Sequence, residues 1–136
     1  MVIGFKEQFV PLILNGVKKH TIRKDKHERW SAGKLMHMAT GVRTKDYRQF
    51  DELVCTDVQK ISIVYNKIHS KVQILIDGKY YGSAFFDKDT LVYFTKSIET
   101  LARNDGFESV DDFFKWFDKD FNGRIIHWTN LRYGAN

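Results

Sequence analysis

The sequence predicts an α+β domain, a small mixed β-barrel of about six to seven strands flanked by about three short helices. Apolar residues alternate through Ile61, Ile63 and Tyr65 and again through Val72, Ile74 and Ile76, the period of a half-buried strand. The spacing then changes to threes and fours at Ile98, Leu101 and Ala102 and at Val110, Phe113, Phe114 and Phe117, the period of a helical face. Strand and helix signals follow no regular alternation along the chain. That order fits a mixed sheet that curls toward closure.

The elements follow in order. After a short first strand, Phe5, Phe9, Leu12 and Ile13 fall on one helical face and Gly16 supplies the stop. Pro11 is tolerated only in a first turn, so the helix is expected to start near Lys6 to Gln8. Lys19 to Lys24 and Leu35 to Thr40 are extended candidates, and the polar, aperiodic stretch Arg43 to Asp51 reads as an exposed loop. Asp77-Gly78, between Val72–Ile76 and Tyr80–Phe86, is a two-residue hairpin signal. Gly106 ends the helix carrying Ile98, Leu101, Ala102 and Asp105, and Ser109 can cap the next with Asp112 at its third position. A final strand runs from Gly123 to Trp128.

At 136 residues the chain fits one domain, residues 1–136. Its 43% hydrophobic and 29% charged composition, with one proline, leaves no room for a disordered linker. A lone cysteine, Cys55, and an N-terminus without a basic region or long apolar core point to a reducing cytoplasm. No apolar run approaches the roughly 20 residues that span a bilayer, so no membrane partner is expected. The five histidines lack metal-ligand spacing and no second cysteine completes a zinc site, so neither metal nor cofactor is expected.

Charge is concentrated in one segment. Between Val17 and Lys34, seven basic residues (Lys18, Lys19, Arg23, Lys24, Lys26, Arg29, Lys34) face two acids (Asp25, Glu28), an excess equal to the whole net charge of +5. A solvated lysine-rich loop and a polyanion-binding surface both fit that observation.

The segment leading into the second strand carries the chemistry. In an extended chain Lys19, Thr21 and Arg23 share a face, while Ile22 points the other way with His20. If Ile22 enters the core, Thr21 and Arg23 face a cleft, and Lys18 at the turn can curl toward it. A hydroxyl flanked by an amine and a guanidinium suits anion binding or an activated nucleophile, although pattern alone favours a polar edge strand. Asp105 sits on the apolar side of its helix, and an inward carboxylate must be paired or protonated; a simple cap of the Gly106-Phe107 turn is the alternative. Trp30, Tyr47 and Tyr133 are stacking candidates for a base and equally fit ordinary packing.

The order Gly16-x-Lys18-x-x-Thr21-Ile22-Arg23, then Trp30-x-x-Gly33, and much later Asn104-Asp105-Gly106-Phe107 ahead of a helix resembles the ASCH domain family, part of the PUA-like group of RNA-binding barrels. The likeness covers about Phe5 to Thr40 and Phe94 to Trp128, and its most specific part is the first string. The resemblance implies a PUA-like barrel whose cleft receives RNA, a nucleotide or a modified nucleoside. Some small bacterial ASCH proteins are amidohydrolases that deacylate N4-acetylcytidine with a lysine, a threonine and an acid, and others are ribonucleases. By position these would be Lys18, Thr21 and Asp105, with Lys19, His20, Arg23, Lys24 and Trp30 as ligand-binding residues. The acid is aspartate here in place of the family's glutamate, and the middle section around Arg43 to Thr56 is longer.

Three classes of function follow: a nucleoside- or RNA-processing enzyme, a non-catalytic RNA-binding module, and a partner-binding protein without nucleic acid. The basic segment supports the first two. Convergence of Lys18, Thr21 and Asp105 would support the enzyme.

Overall fold

The computed structural model describes residues 1–134 of the chain. In order they form β1 (Val2–Gly4), a 3-10 turn (Glu7–Phe9) running into α1 (Val10–Leu14), β2 (His20–Arg23), β3 (Leu35–Thr40), β4 (Arg48–Val54) and β5 (Asp57–Asn66). There follow β6 (Lys71–Ile76), β7 (Lys79–Asp87), β8 (Thr90–Phe94), α2 (Lys96–Asn104), α3 (Val110–Trp116) and β9 (Phe121–His127).

The strands make a three-stranded sheet, β1-β3-β4, and a curled six-stranded half-barrel, β2-β9-β5-β6-β7-β8. β1 and β3 run parallel and all other pairs antiparallel. The α+β class and mixed sheet are as expected; the described residues hold nine strands, where six to seven were expected. The two extra strands lie at sheet edges, where the apolar signal is weakest. β4 takes up the last four residues of the stretch expected to be an exposed loop, pairs on one side only with β3, and has no fully buried residue. β8 likewise pairs only with β7 and leaves Val92 and Tyr93 exposed. Neither strand has a buried residue on either face, so neither carries the in-and-out alternation of a strand with one face on the core.

Elsewhere local chemistry decides the path. Asp77 (φ 53°) and Gly78 (φ 79°) form the two-residue turn that sets Ile76 opposite Lys79. Ser109 caps α3, its hydroxyl accepting from the Asp112 N–H at 3.1 Å. Pro11 lies in the first turn of α1, and the 3-10 turn before it begins at Glu7, within the expected start. The core forms where Ile61, Ile63, Ile74 and Ile125 of the six-stranded sheet meet Ile98, Leu101 and Phe113 of the helices. Cys55 is fully buried and burial pushes its thiol pKa up, which keeps it unreactive. Among the described residues no helix is long and apolar enough to cross a membrane.

Candidate functional site

Two helix ends position the segment before β2. Gly16 turns the chain out of α1 at φ 77°, after which the N–H groups of Val17 and Lys18 donate to the carbonyl of Leu12 at 2.9 and 3.0 Å. The next N–H, from Lys19, donates to the carbonyl of Asn104 at the end of α2, at 2.7 Å. This stitching brings Lys18 against Asp105, the residue that closes α2. The Lys18 ammonium donates to the Asp105 carbonyl oxygen at 2.5 Å and approaches carboxylate Oδ1 at 3.3 Å. Gly106 makes the approach possible: at φ 94°, any Cβ there would meet Lys18 Cδ at 3.0 Å and Phe9 at 3.2 Å.

Lys18, Thr21, Arg23 and Asp105 line one cleft of about 430 Å³. Its apolar walls include Phe5, Phe9, Phe107 and Trp116. Lys18 Nζ stands 4.7 Å from the Phe9 ring centre, and the Arg23 guanidinium lies 4.7 Å from that of Phe5. Arg23 also donates to the Gly4 carbonyl, and its Nε donates to Thr21 Oγ1 at 3.2 Å. Burial pulls the Lys18 pKa below the usual lysine value, against the attraction of Asp105 and with help from the Arg23 charge. Burial likewise lowers Arg23 to about 10, opposed by Asp105.

Asp105 has a second partner. His20, fully buried, brings Nδ1 to 3.0 Å from the same Oδ1, and its Nε2 lies 2.6 Å from the Tyr133 hydroxyl. Asn104 Nδ2 donates to that hydroxyl at 3.1 Å. The network assigns the protons: Tyr133 donates to His20 Nε2, and His20 Nδ1–H donates to Asp105. Beyond it, Gln59 grips the tail through the Tyr133 N–H and carbonyl, each at 2.9 Å, and accepts from His127 Nε2 at 3.0 Å. His127 Nδ1 is left as a buried acceptor with no partner among the described residues.

The sequence-derived candidates therefore separate into groups. Ile22 enters the core, and Thr21 and Arg23 share the opposite, cleft-facing side of β2. His20 is away from the cleft wall and holds Asp105 from behind, while half-buried Lys19 is also absent from that wall. Exposed Lys24 borders the cleft and a neighbouring hollow, and Trp30 is packed in the core with part of its surface on that second hollow. Tyr133 is 7% exposed and serves the buried network. Gln59 and His127 were not singled out in the sequence, and Asn104 entered only as part of the Asn104-Asp105-Gly106-Phe107 string. The only signal for them was that a histidine on the same strand face as buried Ile22 must find partners inside. Among the described residues no cluster of histidine, cysteine and carboxylate side chains could hold a metal ion.

Comparison with protein-family models, curated proteins and solved structures finds no match for this chain.

Proposed function

We propose that the Lys18–Asp105 cleft receives a cytosine nucleoside or nucleotide, free or within RNA, and hydrolyses an acyl group from its exocyclic amine. The observation that carries this reading is a fully buried lysine of lowered pKa placed beside a carboxylate, with a threonine hydroxyl in the same cleft. A lysine whose burial favours the neutral amine is suited to act as a general base. The resemblance to the ASCH amidohydrolases assigns the same three positions.

In the reaction Lys18 takes the Thr21 proton as Oγ1 attacks the acyl carbonyl carbon. The carbon–nitrogen bond then breaks, the exocyclic amine leaves with the proton delivered from the Lys18–Asp105 pair, and the acyl group remains as a threonine ester. Water hydrolyses the ester, releasing the carboxylic acid and restoring Thr21. Arg23, already donating to Thr21 Oγ1 at 3.2 Å, favours the oxygen as its negative charge develops.

A second reading, recognition of a nucleotide without cleavage, is favoured by one contact pattern: Lys18 Nζ is engaged by Asp105, and the Thr21 hydroxyl is met by Arg23. Incubation of the purified protein with N4-acetylcytidine, followed by chromatography, separates the two. Cytidine release that disappears in Lys18→Ala supports the hydrolase. No turnover by the folded wild type leaves the binding module.

A further inference from the structure

Arg23 and Lys24 belong to two hollows at once: the cleft and a larger neighbour of about 920 Å³. β1, the turn after β2 and the turn before β4 build most of the neighbour, and Ile126 of β9 adds to its lining. Lys24, Lys26, Arg29 and Arg43 border it, and all four are exposed. Among the described residues none of the four pairs with a carboxylate.

The acids nearby are already committed. Asp25 is 9% exposed and gives one oxygen to the Arg29 N–H at 2.9 Å and the other to the Trp30 N–H at 3.1 Å. Glu28 pairs with Arg124 at 3.3 Å. Like charges gathered around one concavity repel one another, and no ion pair of the fold uses them. Tyr47, 46% exposed, adds an aromatic side chain to the same wall.

We infer that this basic hollow is the track for the phosphodiester backbone of a single-stranded nucleic acid, one base of which enters the adjoining cleft. A free nucleoside carries no phosphate and has no use for the four cations, whereas successive phosphates match a row of three cations on the turn after β2 and a fourth, Arg43, on the turn before β4. The inference rests on the reading of the cleft as a nucleoside site, and it names a strand as the natural substrate. Tyr47 then offers a surface on which a flanking base stacks.

The test measures fluorescence anisotropy of labelled oligouridine about ten nucleotides long, chosen to fill one single-strand site. Wild type is compared with the Lys26→Ala, Arg29→Ala, Arg43→Ala triple variant, whose positions lie outside the cleft wall. A second triple, Lys67→Ala, Lys71→Ala, Lys88→Ala, removes equal charge from a different hollow, beside α3. The groove triple should bind at least about tenfold more weakly at low salt, with a salt slope shallower by about two, because three phosphate contacts are gone. The control triple should bind as wild type does. The deoxy strand of the same length is run in parallel: tighter RNA binding identifies RNA, and equal binding identifies a backbone-only track, either of which sustains the inference.

Undiminished binding by the groove triple, an equal loss in the control, or no wild-type binding at low salt overturns it. Turnover of free N4-acetylcytidine keeps the two proposals apart. Turnover without strand binding removes the track alone, and strand binding lost in the groove triple without turnover by any form removes the hydrolase alone.

Discussion

His20 Nδ1 lies 3.0 Å from Asp105 Oδ1, the oxygen that Lys18 also approaches. Asp105 is thus gripped from the cleft by an ammonium and from the interior by an imidazole. The imidazole is oriented in turn by Tyr133, whose hydroxyl lies 2.6 Å from Nε2. A chain of hydrogen bonds running from Asn104 through Tyr133 and His20 ends on Asp105 and holds its carboxylate in place. The C-terminal tail is therefore a positioning element of the site.

Tyr133→Phe tests that chain. Removal of the hydroxyl leaves His20 Nε2 and Asn104 Nδ2 without this partner, at a cost of about 1–3 kcal/mol. Nitrogen-15 NMR of the His20 ring should report the Nδ1–H tautomer in the wild type and a loss of that single form in the variant. Unchanged ring shifts in a folded variant would show that Tyr133 does not set the tautomer.

Lys18→Arg separates charge from basicity. Arginine keeps the cation but stays protonated at working pH, so strand binding should persist while cytidine release falls by about 10²–10⁴-fold. In the wild type the rate should rise with pH through a value below the ordinary lysine pKa, since burial favours the neutral amine. A Lys18→Arg protein as active as the wild type would remove Lys18 from the role of base.

The fold was legible wherever one face of an element is buried. Val72, Ile74 and Ile76 alternate because β6 packs one side inward, and Ser109 announces α3 because its hydroxyl satisfies a helix N–H. β4 was not legible: Arg48, Gln49 and Glu52 are exposed on an edge strand, and only pairing with β3 makes them extended. At the site, alternation placed Thr21 and Arg23 together, and the inward position of Asp105 marked it as needing a partner. That His20 is the second partner was hidden, because His20 and Asp105 are 85 residues apart, and the Tyr133 that orients the ring reaches it only through the returning tail.

Histidine burial predicts an acid-side loss of stability. His127 is held neutral, its pKa pushed down to about 3 from 6.5 chiefly by burial and then by His20, and His20 is lowered as well. The unfolded chain binds these protons first as pH falls below 6.5, so the folded state loses ground from there down toward the folded pKa values. Each histidine adds a slope of up to about 1.4 kcal/mol per pH unit. Urea unfolding at pH 7 and pH 5 should show this fall, and His127→Gln should flatten it. An identical slope in that variant would exclude His127 as a source.

Asp105→Asn is the decisive substitution for the Lys18–Asp105 pair. The amide oxygen can still accept from Lys18 and His20, but the negative charge that raises the Lys18 pKa is gone. The folded Lys18 pKa must then fall further, because desolvation is no longer opposed. Loss of one partner of a buried pair costs about 3–5 kcal/mol while the other stays charged. That cost shrinks when Lys18 gives up its proton. The sign follows: with the folded pKa below the unfolded value of 10.5, the unfolded chain holds the extra proton and stability rises with pH through that window. The variant should therefore be much less stable than the wild type near neutrality and recover ground toward pH 10, by urea unfolding. Its rate profile, where turnover is measurable, should begin to rise at lower pH than the wild type's. A rise displaced to higher pH, or a stability gap that does not narrow with pH, would mean that Asp105 does not control the Lys18 proton.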